Sequence, residues 1–109
     1  MTVKIVADSA CDVPEHLARE LDITIVPVYI NVGEQSFLEN VEISREQFYH
    51  NLPTYSVYPT TAAPAVGSFT AVYDKLAAAG ATDILSIHIA SSLSATFNAA
   101  RLSAEAAAA

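Results

Sequence analysis

Apolar and polar positions follow one another in blocks whose period shifts between strand-like and helical. Residues 3–7 form a short β-branched apolar run that ends at Asp8-Ser9, as a buried parallel strand meeting a polar loop would. Asp12 with Glu15 three positions on, and Pro14 between them, predicts a capped helix start, with Val13, Leu17 and Leu21 on one face. Residues 23–31 predict a second strand, in which Pro27 deletes a ladder donor and implies an edge or a bulge. After a turn at Gly33, residues 36–38 predict a short return strand. Ser44 and Gln47 then make a capping box, flanked by Ile43 and Phe48 as a hydrophobic staple, for a helix over 45–52.

Three prolines and many hydroxyls make residues 53–64 a predicted loop. Phe69, Val72, Tyr73 and Leu76 fall at i, i+3, i+4 and i+7, a helix stripe that stops near Gly80. Residues 83–89 predict a further strand, and 90–94 a turn into an alanine-rich last helix. The order is βα(β)αα, then βα. It predicts an α/β fold with a small open, mainly parallel sheet and flanking helices. The last helix runs into Ala106 to Ala109 without a Gly, Asn or basic stop, and no strand follows it. Residues 1–109 are therefore expected to be one α/β domain, the first part of a longer protein.

Composition narrows the partners. The 109 residues carry five basic and twelve acidic side chains, a net charge of −7, and the basic residues are scattered. Such a surface repels phosphate backbones, which argues against nucleic acid and anionic membranes. No apolar run approaches the roughly 18 residues of a membrane span. The start lacks the features of a signal peptide, and the lone Cys11 has no internal disulfide partner, so a cytoplasmic location is expected.

The candidate chemistry lies in hydroxyls. Helix starts present unpaired N–H groups and a positive dipole end, so hydroxyls gathered there can hold an anionic oxygen. Ser9 after the first strand, Thr61 in the proline-rich loop, and Ser91 and Ser94 in the turn before the last helix are placed to converge on one small polar pocket at the carboxyl rim of the sheet. Taken singly, each is more readily explained as a helix cap. The three glycines build neither a dinucleotide nor a phosphate loop, and Cys11, His16, His50 and His88 show no paired metal-ligand spacing. Ser94 has no flanking glycines of a nucleophile elbow, although His88 and Asp8 leave a triad open.

The strand end Ile5-Val6-Ala7-Asp8-Ser9, the acidic turn Glu39-Asn40-Val41-Glu42-Ile43 before a helix with Phe48-Tyr49, the loop Thr61-Ala62-Ala63-Pro64 with Gly67 and Phe69, and the turn from Ala90 to Phe97 follow in this order. With them the chain resembles, almost from end to end, the amino-terminal domain of the DegV family of bacterial fatty-acid-binding proteins. The resemblance implies a long-chain fatty acid in a tunnel between two domains, its carboxylate held by Thr61 and Ser94, with Ser91 nearby. It implies a carrier that presents the acid to a separate fatty acid kinase, with no cofactor of its own. Ala62-Ala63 replace the family's Ser-Gln, Ala90 its first serine, and Ala95 a glycine that lets the backbone approach closely. The family's second domain is not within these residues, so apolar surface is expected to be covered by a second copy or another partner. Two rival readings stand beside the carrier: a small serine hydrolase using Ser94 or Ser91, and a structural interaction domain without ligand.

Overall fold

The computed structural model describes residues 1–107; the expected helix end at Ala108 and Ala109 lies outside them. Ten elements follow in order: β1 (Val3–Asp8), α1 (Glu15–Glu20), β2 (Ile23–Val26), β3 (Tyr29–Val32), β4 (Gln35–Leu38), α2 (Arg45–Asn51), β5 (Thr60–Ala62), α3 (Val66–Ala78), β6 (Asp83–Ile87) and α4 (Thr96–Ala106). Short 3₁₀ turns follow β1 and α2. The parallel sheet has the order β2-β1-β6, with Ile5 opposite Ile23 and Leu85. A second, antiparallel sheet has the order β4-β3-β5.

The predicted strand over 23–31 is two strands in two sheets. Pro27 has no N–H to continue the parallel ladder, and the Val28 N–H bonds sideways to Ser9 Oγ at 2.9 Å instead. The chain therefore leaves the first sheet at Val26 and enters the second at Tyr29. The predicted loop over 53–64 also contains a strand. Thr60 and Thr61 lie between prolines that favour extended backbone, and they pair with Asn31 and Ile30 of β3.

The Asp12–Glu15 capping box does not form. Asp12 takes a left-handed conformation (φ 56°) at the end of the first 3₁₀ turn, and α1 starts after Pro14 with no side-chain cap. Its carboxylate is held elsewhere, 2.9 Å from Arg45 Nη2. Ala18 of α1 is buried, and Leu21, just past its end, is exposed. The Ser44–Gln47 box is present in both directions. Past α3, the N–H of Gly80 (φ 106°) bonds to Ala77 O and that of Ala81 to Leu76 O, a helix stop that needs a left-handed residue at Gly80.

The core joins Val6 and Val26 of the parallel sheet to Phe69 and Tyr73 of α3 and Ala99 and Ala100 of α4, with Val72, Leu76 and Ile84 packed against it. Alanines on α4 bring the two helices close, and Ser103 crosses between them by donating to Val66 O at 2.7 Å. Phe69 is wholly buried. Phe69→Ala is expected to lower the unfolding free energy by about 3–5 kcal/mol, and Ser44→Ala, which removes one cap, by about 1 kcal/mol; urea denaturation of the two variants checks both the size and the order.

Candidate functional site

The end of β1 is the crossing point of the polar groups. Asp8 is fully buried and Ser9 almost so. Asp8 Oδ1 accepts from the Ala10 N–H at 2.9 Å, and Oδ2 accepts from the Ile89 N–H at 3.3 Å while lying 2.8 Å from His88 Nδ1. The other ring nitrogen, Nε2, meets Ser86 Oγ, and Ser86 Oγ lies 2.7 Å from the Tyr73 hydroxyl. One orientation satisfies all four groups: Tyr73 donates to Ser86, Ser86 to Nε2, and Nδ1–H to Asp8. The Phe69 ring meets the imidazole edge-on, with centroids 5.1 Å apart. Among the described residues, no buried side-chain nitrogen or oxygen lacks a partner.

The structure thus joins Asp8 to His88, but the serine on the imidazole is Ser86. Ser94 Oγ lies 2.9 Å from Thr96 Oγ1 and accepts from the Thr96 N–H at 3.2 Å. The residues flanking Ser94 thus supply it with a local cap and no base. Ser91 is exposed in the same turn. In that turn the Ala90 carbonyl accepts from the N–H groups of Leu93 and Ser94 at 2.9 and 3.3 Å.

Ser9 is held from both sides. Its Oγ accepts from the Val28 N–H and donates to Glu39 Oε2 at 2.8 Å. Glu39 also binds Arg45, with Oε1 3.2 Å from Nε, and Arg45 Nη2 reaches Asp12 Oδ1 and the Ser9 carbonyl, the latter at 3.1 Å. Removing the Ser9 hydroxyl would strand the buried Val28 donor at a cost of about 1–3 kcal/mol.

Two cavities flank the Glu39–Arg45 pair. One, of about 370 Å³, is lined by Ser9, Val13, Ala18, Ile25 and Val41 among others. The other, of about 160 Å³, is lined by Ile30, Phe48, Tyr49, Pro59, Thr60 and Thr61. Neither takes in Ser91 or Ser94, so the four candidate hydroxyls do not share one of these cavities. Arg45, which sequence spacing left as one scattered cation, borders both. The signal that could have found it is its position as first residue of α2, directly after the acidic turn. Glu39, Ser86 and Tyr73 were also missed; Glu39 meets Ser9 thirty residues away, and Tyr73 and Ser86 meet across thirteen.

The chain is an α/β domain with a polar hub at the end of the central strand of its parallel sheet. A family model described as an uncharacterised protein of the DegV family matches residues 2–108, and the chain belongs to that family. A DegV domain-containing protein of Lactococcus lactis is 39% identical over 93% of this chain and 36% of its own length. The chain thus spans little more than a third of that relative. Among solved structures, a fatty-acid-binding DegV family protein from Thermus thermophilus aligns with a TM-score of 0.84 at 31% identity, covering 97% of this chain and 38% of that one. DegV of Bacillus subtilis, a fatty acid binding protein, aligns with a TM-score of 0.90 at 26% identity, covering 98% of this chain and 38% of that one. No described helix is long and apolar enough to cross a membrane.

Cys11 sits between the hub and β6, its thiol 3.4 Å from the Ile87 carbonyl. Burial first, and then the nearby Asp8 carboxyl, raise its pKa, so the neutral thiol prevails around neutral pH. Alkylation of Cys11 by iodoacetamide is expected to be slower near neutral pH than that of free cysteine, with a rate that climbs at higher pH; a pH–rate midpoint at or below that of free cysteine would contradict it.

Proposed function

We propose that this chain is one wall of a fatty-acid carrier, in which the hydroxyls of Thr61 and Ser94 hold the carboxylate of a long-chain fatty acid and Ser91 stands by as a secondary contact. The observation that carries this reading is the likeness, over 97% of the chain, to a DegV family protein that binds fatty acid. Physical chemistry supports it. Thr61 is exposed on an edge strand beside a cavity, and Ser94 precedes the first turn of α4, where N–H groups point outward.

Close in sequence to each hydroxyl is an exposed apolar residue: Tyr58 is 96% exposed and Leu93 74%. Their exposure suits a surface that an acyl chain or a further domain covers. In the carrier reading the rest of a two-domain protein closes the tunnel, and Val3, Leu85 and Ile87, exposed on the parallel sheet, are covered by it or by a second copy of this chain. The bound acid is presented to a separate kinase subunit, and the carrier itself performs no chemistry. No cofactor enters this reading.

Native mass spectrometry of the full-length protein purified without added lipid tests the assignment. A long-chain fatty acid is expected to co-purify, and the Thr61→Ala, Ser94→Ala double variant is expected to carry markedly less. An empty wild-type protein that also fails to take up added fatty acid would end the carrier reading.

A further inference from the structure

We propose that Asp8 and Ser9 are positioning residues that set the separation of the two carboxylate-binding hydroxyls, Asp8 acting on Ser94 and Ser9 on Thr61. The inference rests on the carrier reading above.

Two hydrogen-bond paths leave this dipeptide in different directions. From Asp8, the carboxyl holds the Ile89 N–H and the His88 ring. One residue further on, the Ala90 carbonyl collects the N–H groups of Leu93 and Ser94 and closes the turn that carries the Ser94 hydroxyl. One buried carboxyl therefore fixes where that turn begins. From Ser9, the hydroxyl oxygen takes the Val28 N–H, at the residue just before β3. The Val28 carbonyl accepts from the Glu39 N–H at 3.0 Å, and Glu39 returns to Ser9 through its carboxylate. Strand β3 then pairs Ile30 with Thr61. A shift of Ser9 would move β3, and with it Thr61.

The geometry also separates Ser9 from direct ligand contact. A serine has one hydroxyl hydrogen, and that of Ser9 is donated to Glu39. A carboxylate needs donors, so Ser9 has none to offer while this bond stands. Asp8, with no exposed surface, is likewise out of reach of a ligand. Adjacent residues on one rigid strand end thus hold the supports of two hydroxyls from separate segments. Hydrogen bonds to both oxygens of one carboxylate weaken steeply when either donor drifts out of line, so fixed spacing is what such a site requires.

The test separates positioning from stability by comparing head groups. Full-length wild type, Asp8→Asn, Ser9→Ala and the Thr61→Ala, Ser94→Ala double variant are titrated with palmitic acid and with palmityl alcohol, and thermal unfolding is followed alongside. Wild type is expected to prefer the acid. Asp8→Asn and Ser9→Ala are each expected to cut that preference by roughly tenfold while leaving the affinity for the alcohol unchanged. Should Asp8→Asn not fold, Ser9→Ala decides alone. Variants that keep the wild-type acid-to-alcohol ratio, or that lose both ligands in step, would overturn the inference. If the double variant loses the preference while Asp8→Asn and Ser9→Ala retain it, only the positioning role fails. A wild type with no preference for the acid removes the carboxylate reading itself, and this inference with it.

Discussion

A carboxyl group with no exposed surface has to find every partner inside the protein, and Asp8 does so at the end of the central strand. Its oxygens gather two backbone N–H groups and an imidazole, drawn from the 3₁₀ turn after β1 and from the end of β6. Those groups come from opposite ends of the sequence, so the site cannot assemble until β1 and β6 have paired. The same imidazole passes the constraint on through Ser86 to Tyr73, whose ring belongs to the core with Phe69. Polar hub and apolar core are one structure, and losing the carboxyl would leave the His88 Nδ1–H and the Ile89 N–H without their partner.

The second sheet depends on the neighbouring residue. Pro27 ends the parallel ladder by lacking a donor, yet the corner it creates would leave Val28 N–H unpaired in a buried place without the Ser9 hydroxyl. Arg45 then ties the corner to α2 by reaching Glu39, Asp12 and the Ser9 carbonyl together. With its side chain a third exposed and Glu39 more buried still, this pair is better sheltered than the outlying Arg19–Glu15 and Arg101–Glu105 pairs, which are of the kind that add little to stability.

The helices were legible in the sequence where their determinants are local. The stripe of Phe69, Val72, Tyr73 and Leu76, the capping box at Ser44 and the left-handed stop at Gly80 each lie within a few residues, and each is present. The DegV likeness was legible as well, because its motifs are short runs in a fixed order. What failed to show was decided by distant partners. Asp12 caps nothing because Arg45 claims it. Thr60 and Thr61 form a strand because β3 offers them an edge. Ser86, an ordinary strand serine by pattern, joins the core through the Tyr73 hydroxyl, thirteen residues away on α3.

Charge explains why hydroxyls, and not a cation, suit the proposed carboxylate site. Arg45 borders the cavity beside Thr61, but Asp12 and Glu39 already compensate it, and the chain as a whole carries −7. Uncompensated attraction for an anion must therefore come from short-range donors and helix-start dipoles. Such contacts are modest: a hydrogen bond nets about 1 kcal/mol, while each methylene buried contributes about 0.8 kcal/mol. A long acyl chain outweighs two hydroxyls several times over, so in the proposed carrier the tail would supply the affinity. Thr61 and Ser94 would decide which end of the molecule faces out, and that choice is only as sharp as the strand end that fixes their separation.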